Sequence, residues 1–397
     1  MSASAPLVVC FSTLGAGSGE EDRIRSLLAD VEPVVYPFDR GRKLANVPRI
    51  LRLARRRRPD LLVMEGTGIA GGIAVILARV LFGVRYAVSS GDAVGPFLGG
   101  MRRVLTVPGW IYETLLYRRA AGFIGWTPYL AGRALTMGCP RVMTAAHFAA
   151  HPQVLMSRSE VRRRLGIPQD ALVAGIVGSL VWYERRGYCY GWELVAAMRR
   201  VQRRDVAVVI IGSGTGLERL RELAGDDLGR RVFLPGRVEP ELVVSHLAAM
   251  DAGSLPQSVD QVGAFRYTTK LPEYLAARLP VVTGEIPAAY DLMDGWSWRL
   301  PGGAPWDERY LDALAALLEQ LTPEEVALRR TAMPADPQVF SEADQRRRVG
   351  GFIRDISRPA TAASDTLPAE GPPQQPRKAP GVLVSDGDGG AAQAAER

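Results

Sequence analysis

Thr268, Thr269, Lys270 and Glu273 stand together in the segment TTKLPEYLAARLPVV, residues 268–282, and their types suit the handling of a nucleotide. The spacing puts Lys270 and Glu273 one turn apart at the opening of a helix, and the apolar run Leu279, Pro280, Val281, Val282 predicts a strand directly after it. A loop running into a helix start presents free backbone N–H groups and a positive dipole end, which suit a phosphate. Lys270 adds a mobile cation, while Glu273 offers two acceptor oxygens that can take both hydroxyls of a ribose. The competing account is a surface ion pair at i, i+3 spacing, worth only about 0.2–0.5 kcal/mol. The hydroxyl-bearing loop before the pair and the buried strand after it favour a site.

Three further loops carry residues able to meet an anion. Gly15, Ala16 and Gly17 open a glycine-rich turn between a strand and a helix starting near Glu20. Gly212 and Gly214 do the same after the strand VAVVII. Both miss the spacing of a dinucleotide fingerprint, because Glu20 and Leu217 occupy its last position, and tight turns need glycine without any ligand. The third loop follows Gly178 in GIVGSLVWYERRGYCYGWEL, where Arg185 and Arg186 can make two-pronged contacts to a diphosphate at the C-terminal edge of a sheet. Trp182, Tyr183, Tyr188, Tyr190 and Trp192 surround those arginines, either as a stacking surface or as core. Asp92, after the strand YAVSS, can orient a substrate or cap the next segment.

Positioning these loops requires a layered α/β chain. Apolar runs at 7–11, 34–36, 61–64, 85–88, 122–126 and 141–144 alternate with helical stretches at 20–28, 47–57, 72–81 and 110–119. The pattern restarts with strands at 172–177, 206–211, 232–234, 253–255 and 280–283 and helices at 192–200, 217–223, 241–249, 270–277 and 308–320. Continuous apolar strands separated by helices predict parallel sheets covered on both faces. At 397 residues the chain is too long for one core. It divides into two Rossmann-like domains, 1–150 and 151–335, facing each other across a cleft. A linker lies at 148–164, and a C-terminal helix at 336–358 can pack back on the first domain. From 359 to 397 the chain is rich in Pro, Ala, Gly and Ser and predicts disorder. Asp386, Gly387 and Asp388 in that tail match a metal signature by chance.

Composition narrows the partners. The net charge of +7 is spread over helices, with one dense run at Arg55, Arg56, Arg57 and Arg58. Solvated helix faces explain it better than nucleic acid, and the basic helix 47–58 leaves contact with anionic lipid open. Cys10, Cys139 and Cys189 form neither a disulfide framework nor a zinc spacing, and His147, His151 and His246 are isolated, so no metal is expected. The start of the chain has no basic region ahead of its apolar run. The apolar segment 66–84 is diluted by glycine and interrupted by Arg79, as suits a buried helix rather than a membrane span. A cytoplasmic protein is expected, with the inner face of the membrane as an alternative.

These residues resemble the retaining, family-4-like glycosyltransferases of the GT-B fold, across about residues 7–335. The family's "valine-glycine-arginine-leucine, then lysine-glycine" element falls on Val177, Gly178, Ser179, Leu180 and Arg186, Gly187. Its Gly-x-Gly falls on Gly212 to Gly214, and "Val-x-Phe-x-Gly-x-Val" on the segment ending at Gly236, Arg237, Val238, where such enzymes hold the base. The "Lys-x-x-Glu-Tyr-Leu-Ala" element falls on Lys270 onward. There are departures. The first of two glutamates seven residues apart falls on Phe265, and only Glu273 remains. Arginine replaces the loop lysine, Ser179 replaces an arginine, and the linker Asn-Gly is lost at 145–149. The His-Asp pair of the first domain reads Gly91-Asp92.

The resemblance implies transfer of a hexosyl-type sugar from a UDP-, GDP- or dTDP-linked donor to a hydroxyl acceptor, with retention and without cofactor or metal. It assigns Lys270 and Arg186 to the diphosphate, with Gly15 to Gly17 and Thr269 as further donors. Glu273 goes to the ribose, Arg237 and Val238 to the base, and Asp92 to orienting the sugar or acceptor. A GT-B sugar-nucleotide epimerase and a non-catalytic relic are the alternatives.

Overall fold

A computed structural model describes residues 5–335 and 338–358. The tail 359–397, expected to be disordered, and its Asp386-Gly387-Asp388 lie outside the described residues.

The first lobe alternates β1 (Val8–Ser12), α1 (Gly19–Leu27), β2 (Val34–Val35), α2 (Asn46–Arg57), β3 (Leu61–Glu65), α3 (Ile69–Phe82), β4 (Tyr86–Ser90), α4 (Val94–Met101), α5 (Thr106–Arg118), β5 (Gly122–Gly125), α6 (Pro128–Thr136) and β6 (Val142–Thr144). Its six strands run parallel in the order β2-β1-β3-β4-β5-β6. Side chains of β1, β3, β4 and β5 are buried on both faces, as strands between two helical layers must be. Helices α2, α3, α5 and α6 cover one face.

The second lobe runs α7 (Arg158–Leu165), β7 (Leu172–Val177), α8 (Trp192–Met198), β8 (Val206–Ile211), α9 (Leu217–Ala224), β9 (Val232–Gly236), α10 (Val243–Ala248), β10 (Ala252–Leu255), α11 (Lys270–Ala276), β11 (Val281–Gly284), α12 (Pro287–Tyr290), β12 (Ser297–Leu300), α13 (Glu308–Gln320) and α14 (Pro323–Ala332). Its strands are again parallel, in the order β12-β11-β10-β7-β8-β9. The last helix, α15 (Glu342–Ser357), returns to the first lobe. There Val349, Ile353 and Ile356 join α1 in covering the other face of the first sheet, and Arg346 pairs with Asp30 at 2.6 Å.

Three differences from the sequence reading stand out, the first two with clear causes. Residues 158–165, assigned to a linker, form α7, because Ser157 caps it by accepting the Glu160 N–H. Its Arg162 is fully buried and donates to the carbonyls of Ala249, Gln169 and Ala171 and to Asp251, so a residue that looks like linker polarity is a core brace. Strand β12 was not expected. It lies at the sheet edge, where Trp-Arg-Leu need not be continuously apolar. Helix α3 differs in a third way: its inner side is buried, yet Ile73 and Val80 face outward and are exposed.

Candidate functional site

Where β7 and β8 end, the backbone is packed too tightly for any side chain but hydrogen. A Cβ at Gly212 (φ +146°) would sit 1.8 Å from the Gly178 carbonyl oxygen, and one at Gly214 (φ +159°) 2.3 Å from the Leu180 carbonyl carbon. Leu180 N–H donates to Ser213 O at 3.0 Å, and Gly216 N–H to Leu180 O at 2.8 Å. The two loops therefore form one shelf at the C-terminal edge of the second sheet. Gly212 N–H is spent on Gly236 O at 2.8 Å, so that glycine serves close approach rather than anion contact. Arg237 and Val238 follow β9 at the same edge, Arg237 exposed and Val238 half-buried.

Lys270 lies against this shelf. Its side chain is buried (7% exposed), and a Cβ at Gly178 would come within 3.0 Å of its Cε and 3.2 Å of its Nζ. The ammonium stands 4.0 Å from the centroid of the Tyr190 ring, a cation–π contact worth about 0.5–2 kcal/mol. Among the described residues no carboxylate lies within ion-pair distance of it. A cation held at a largely buried position without a counter-ion suits a bound anion. Beside it the Thr268 hydroxyl is buried with no hydrogen-bond partner, while Thr269 is exposed. Glu273, one turn on and half-buried, has its pKa raised by burial, with Lys270 opposing. Helix α11 is only seven residues long, so the side chains, not a long helix dipole, set the charge here.

The arginine loop is a small hairpin closed by the bridge between Tyr183 and Tyr188. Its base is held by Glu193, fully buried, which accepts from Tyr188 Oη (3.0 Å), Gly191 N–H (3.1 Å) and Ser254 Oγ (2.7 Å). Burial raises the Glu193 pKa against those three donors. Arg186 lies over the Trp306 ring at 5.1 Å, and Arg185 reaches across to the Met101 carbonyl of the first lobe. The aromatic cluster splits accordingly: Tyr188 is core beside Trp192 and Trp306, and Tyr190 serves Lys270.

One placement corrects the sequence reading, and a second adds a partner to it. The amides of the first glycine loop are all engaged: Gly15 N–H donates to Ser12 O, Ala16 N–H to Phe38 O, and Gly17 N–H to the Glu21 carboxylate at 2.7 Å. With those donors occupied and a carboxylate beside them, Gly15, Ala16 and Gly17 present no anion cradle in this structure. Asp92, read as orienting a substrate or capping the next segment, pairs with Arg266 of the second lobe at 2.5 Å.

That pair belongs to a clasp which sequence reasoning missed. The turn Gly263–Phe265 spans from the second lobe to the first. The Phe265 ring packs on the first-lobe core, and its carbonyl accepts the Thr127 hydroxyl at 2.9 Å. Thr127 also caps α6 by accepting the Leu130 N–H. The position where the resemblance calls for a glutamate thus carries an apolar anchor to the opposite lobe. Only the odd phenylalanine at 265 hinted at it.

Two family models match this sequence. Residues 5–147 match the glycosyl transferase 4-like domain, and residues 171–320 match glycosyl transferases group 1. Between them they span both lobes, and the chain belongs to the family-4-like group of GT-B glycosyltransferases. No curated protein matches it. Among solved structures, Anabaena HepE in complex with UDP and glucose is 16% identical, with a TM-score of 0.64 over 88% of this chain and 100% of that one. Sucrose-phosphate synthase from Thermosynechococcus elongatus is 14% identical, with a TM-score of 0.65 over 88% and 99%. A Listeria monocytogenes structure, assigned provisionally as a UDP-N-acetylglucosamine 2-epimerase, is 14% identical, with a TM-score of 0.56 over 90% and 99%. These likenesses establish the fold.

Proposed function

We propose that the protein transfers a hexosyl group from a nucleoside-diphosphate sugar to a hydroxyl acceptor, with retention and without a resident metal. The observation that carries this reading is Lys270: a buried lysine whose ammonium, with no ion pair among the described residues, is held between Gly178 and Tyr190 at the mouth of the second sheet. When the anomeric C–O bond breaks, its electron pair goes to the diphosphate, and a fixed cation at that point stabilises the developing charge. Arg186 supplies a second cation from the hairpin, and the unpartnered Thr268 hydroxyl can donate to a phosphate oxygen. Glu273 takes the ribose hydroxyls, and the backbone around Arg237 and Val238 takes the base. Asp92, fixed by Arg266, marks the first-lobe wall against which the sugar and acceptor are oriented. UDP is the leading donor nucleotide, because HepE carries it in this fold.

Thermal melting against UDP, GDP, dTDP and ADP tests the site and names the base. One nucleotide should raise the melting temperature, and Glu273→Ala should abolish most of that rise. At a concentration 100 times the dissociation constant the stabilisation is about 2.7 kcal/mol. Release of free sugar from the matching donor, unchanged by a chelator, separates a metal-independent transferase from a relic. Conversion of the donor to its epimer would favour the epimerase reading. No shift with any nucleotide would refute the donor site.

A further inference from the structure

The outer surface of the first lobe is apolar and cationic where a globular enzyme is ordinarily polar. Helices α4 and α5 form a hairpin joined at glycines: a Cβ on Gly109 would lie 3.2 Å from the Gly95 carbonyl oxygen and 3.2 Å from Leu98 Cβ. That close fit turns the large side chains of the hairpin outward. Phe97, Met101, Val104, Val107, Trp110 and Ile111 are all exposed, Val104 at 78%, Val107 at 65% and Trp110 at 57%. The patch continues sideways. The Tyr112 hydroxyl donates to the Thr67 and Gly68 carbonyls at the start of α3, whose own Ile73 and Val80 are exposed. So many large apolar side chains left exposed on one hairpin mark an interaction face.

Its charge selects the partner. Helices α2, α3, α4 and α5 contain one acidic residue among them, Glu113. It is turned inward, fully buried, pairing with Arg133 at 2.7 Å and accepting the Gly95 N–H. The cations point the other way: Arg102 and Arg103 sit in the hairpin bend, and Arg49, Arg52, Arg55 and Arg56 stand exposed on α2. Apolar side chains with a tryptophan, accompanied by exposed arginines and with no exposed carboxylate on the four helices themselves, match the interface of an anionic bilayer. The face also adjoins the cleft, since the Met101 carbonyl receives Arg185.

We propose that the α4–α5 hairpin, in the same helical layer as the basic helix α2 with α3 between them, docks this protein on an anionic lipid surface. The proposal does not rest on the donor reading, because it concerns a different face and requires no nucleotide. Cosedimentation of the full chain with phosphatidylcholine vesicles, with and without phosphatidylglycerol, tests it. Binding should require the anionic lipid and weaken as salt rises. Val107→Ser with Trp110→Ser should lower the partition coefficient about ten-fold or more. Arg102→Glu with Arg103→Glu should lower it about ten-fold. Both variants should keep the wild-type melting temperature, since the altered side chains are exposed. Equal binding to neutral and anionic vesicles, or variants that bind like wild type, would overturn the proposal. So would a chain that ignores vesicles but self-associates until Val107 and Trp110 are replaced, because the face would then join copies of the protein.

Discussion

Replacing Lys270 by methionine should lower ligand affinity while leaving the stability of the free protein unchanged. Methionine preserves length and can stay against the Tyr190 ring, but removes a buried cation that has no counter-ion among the described residues. Without ligand, the variant should be about as stable as wild type, because the ammonium has no ion pair to lose and methionine can keep the contact with the ring. With ligand, one charge-assisted hydrogen bond to phosphate is lost, about 1.5–3 kcal/mol, or roughly 10–150-fold in the dissociation constant. Where wild type at 100 times its dissociation constant gains about 2.7 kcal/mol, a variant weakened about 30-fold gains only about 0.9 kcal/mol at the same concentration. Urea unfolding in the presence and absence of nucleotide measures both numbers on one sample. A structural lysine would give the reverse: lower stability of the free protein and an unchanged ligand increment. That result would refute the reasoning.

Three other outcomes follow from the packing. Gly212→Ala should cost about 2–4 kcal/mol in urea unfolding, because its Cβ meets the Gly178 carbonyl at 1.8 Å, whereas Gly17→Ala, with open space around it, should cost only about 1 kcal/mol. Glu65→Gln should destabilise by about 3–5 kcal/mol, since it leaves the buried Arg23 charge, paired at 2.8 Å with both side chains 1% exposed, without its counter-ion; a cost under 1 kcal/mol would mean that the Ser89 hydroxyl and Ala145 carbonyl suffice for Arg23. His147, whose pKa burial and then the Arg23 charge push down to about 4, favours the neutral ring in the folded state. Its contribution is therefore complete above the unfolded value of 6.5 and is lost as pH falls toward 4, at most about 3 kcal/mol. His147→Gln should flatten stability over that window, and an unchanged slope would place the titration elsewhere.

Several features were legible in the chain because local spacing encodes them. Lys270 and Glu273 share one turn of helix whatever the rest of the protein does, and that helix is followed by a strand in which Val281 and Val282 are buried. The parallel sheets were readable because strands buried on both faces must be continuously apolar. The seats of Gly178 and Gly214 on a shared edge followed from the alternation of strand and helix, while the backbone clash that demands hydrogen at Gly212 did not.

What only the tertiary structure decided is which distant groups meet. Asp92 and Arg266 are 174 residues apart, and no periodicity links them; their pairing exists because a turn of one lobe reaches the other. The amides of Gly15 to Gly17 were assigned to a ligand because glycine permits it, but the fold had already committed them to Phe38, Ser12 and Glu21. Arg162 reads as solvated charge until four carbonyl and carboxylate partners close around it. Local sequence carries the period of an element and the chemistry of its side chains. Burial and partnership depend on what the remaining chain brings to the same point in space.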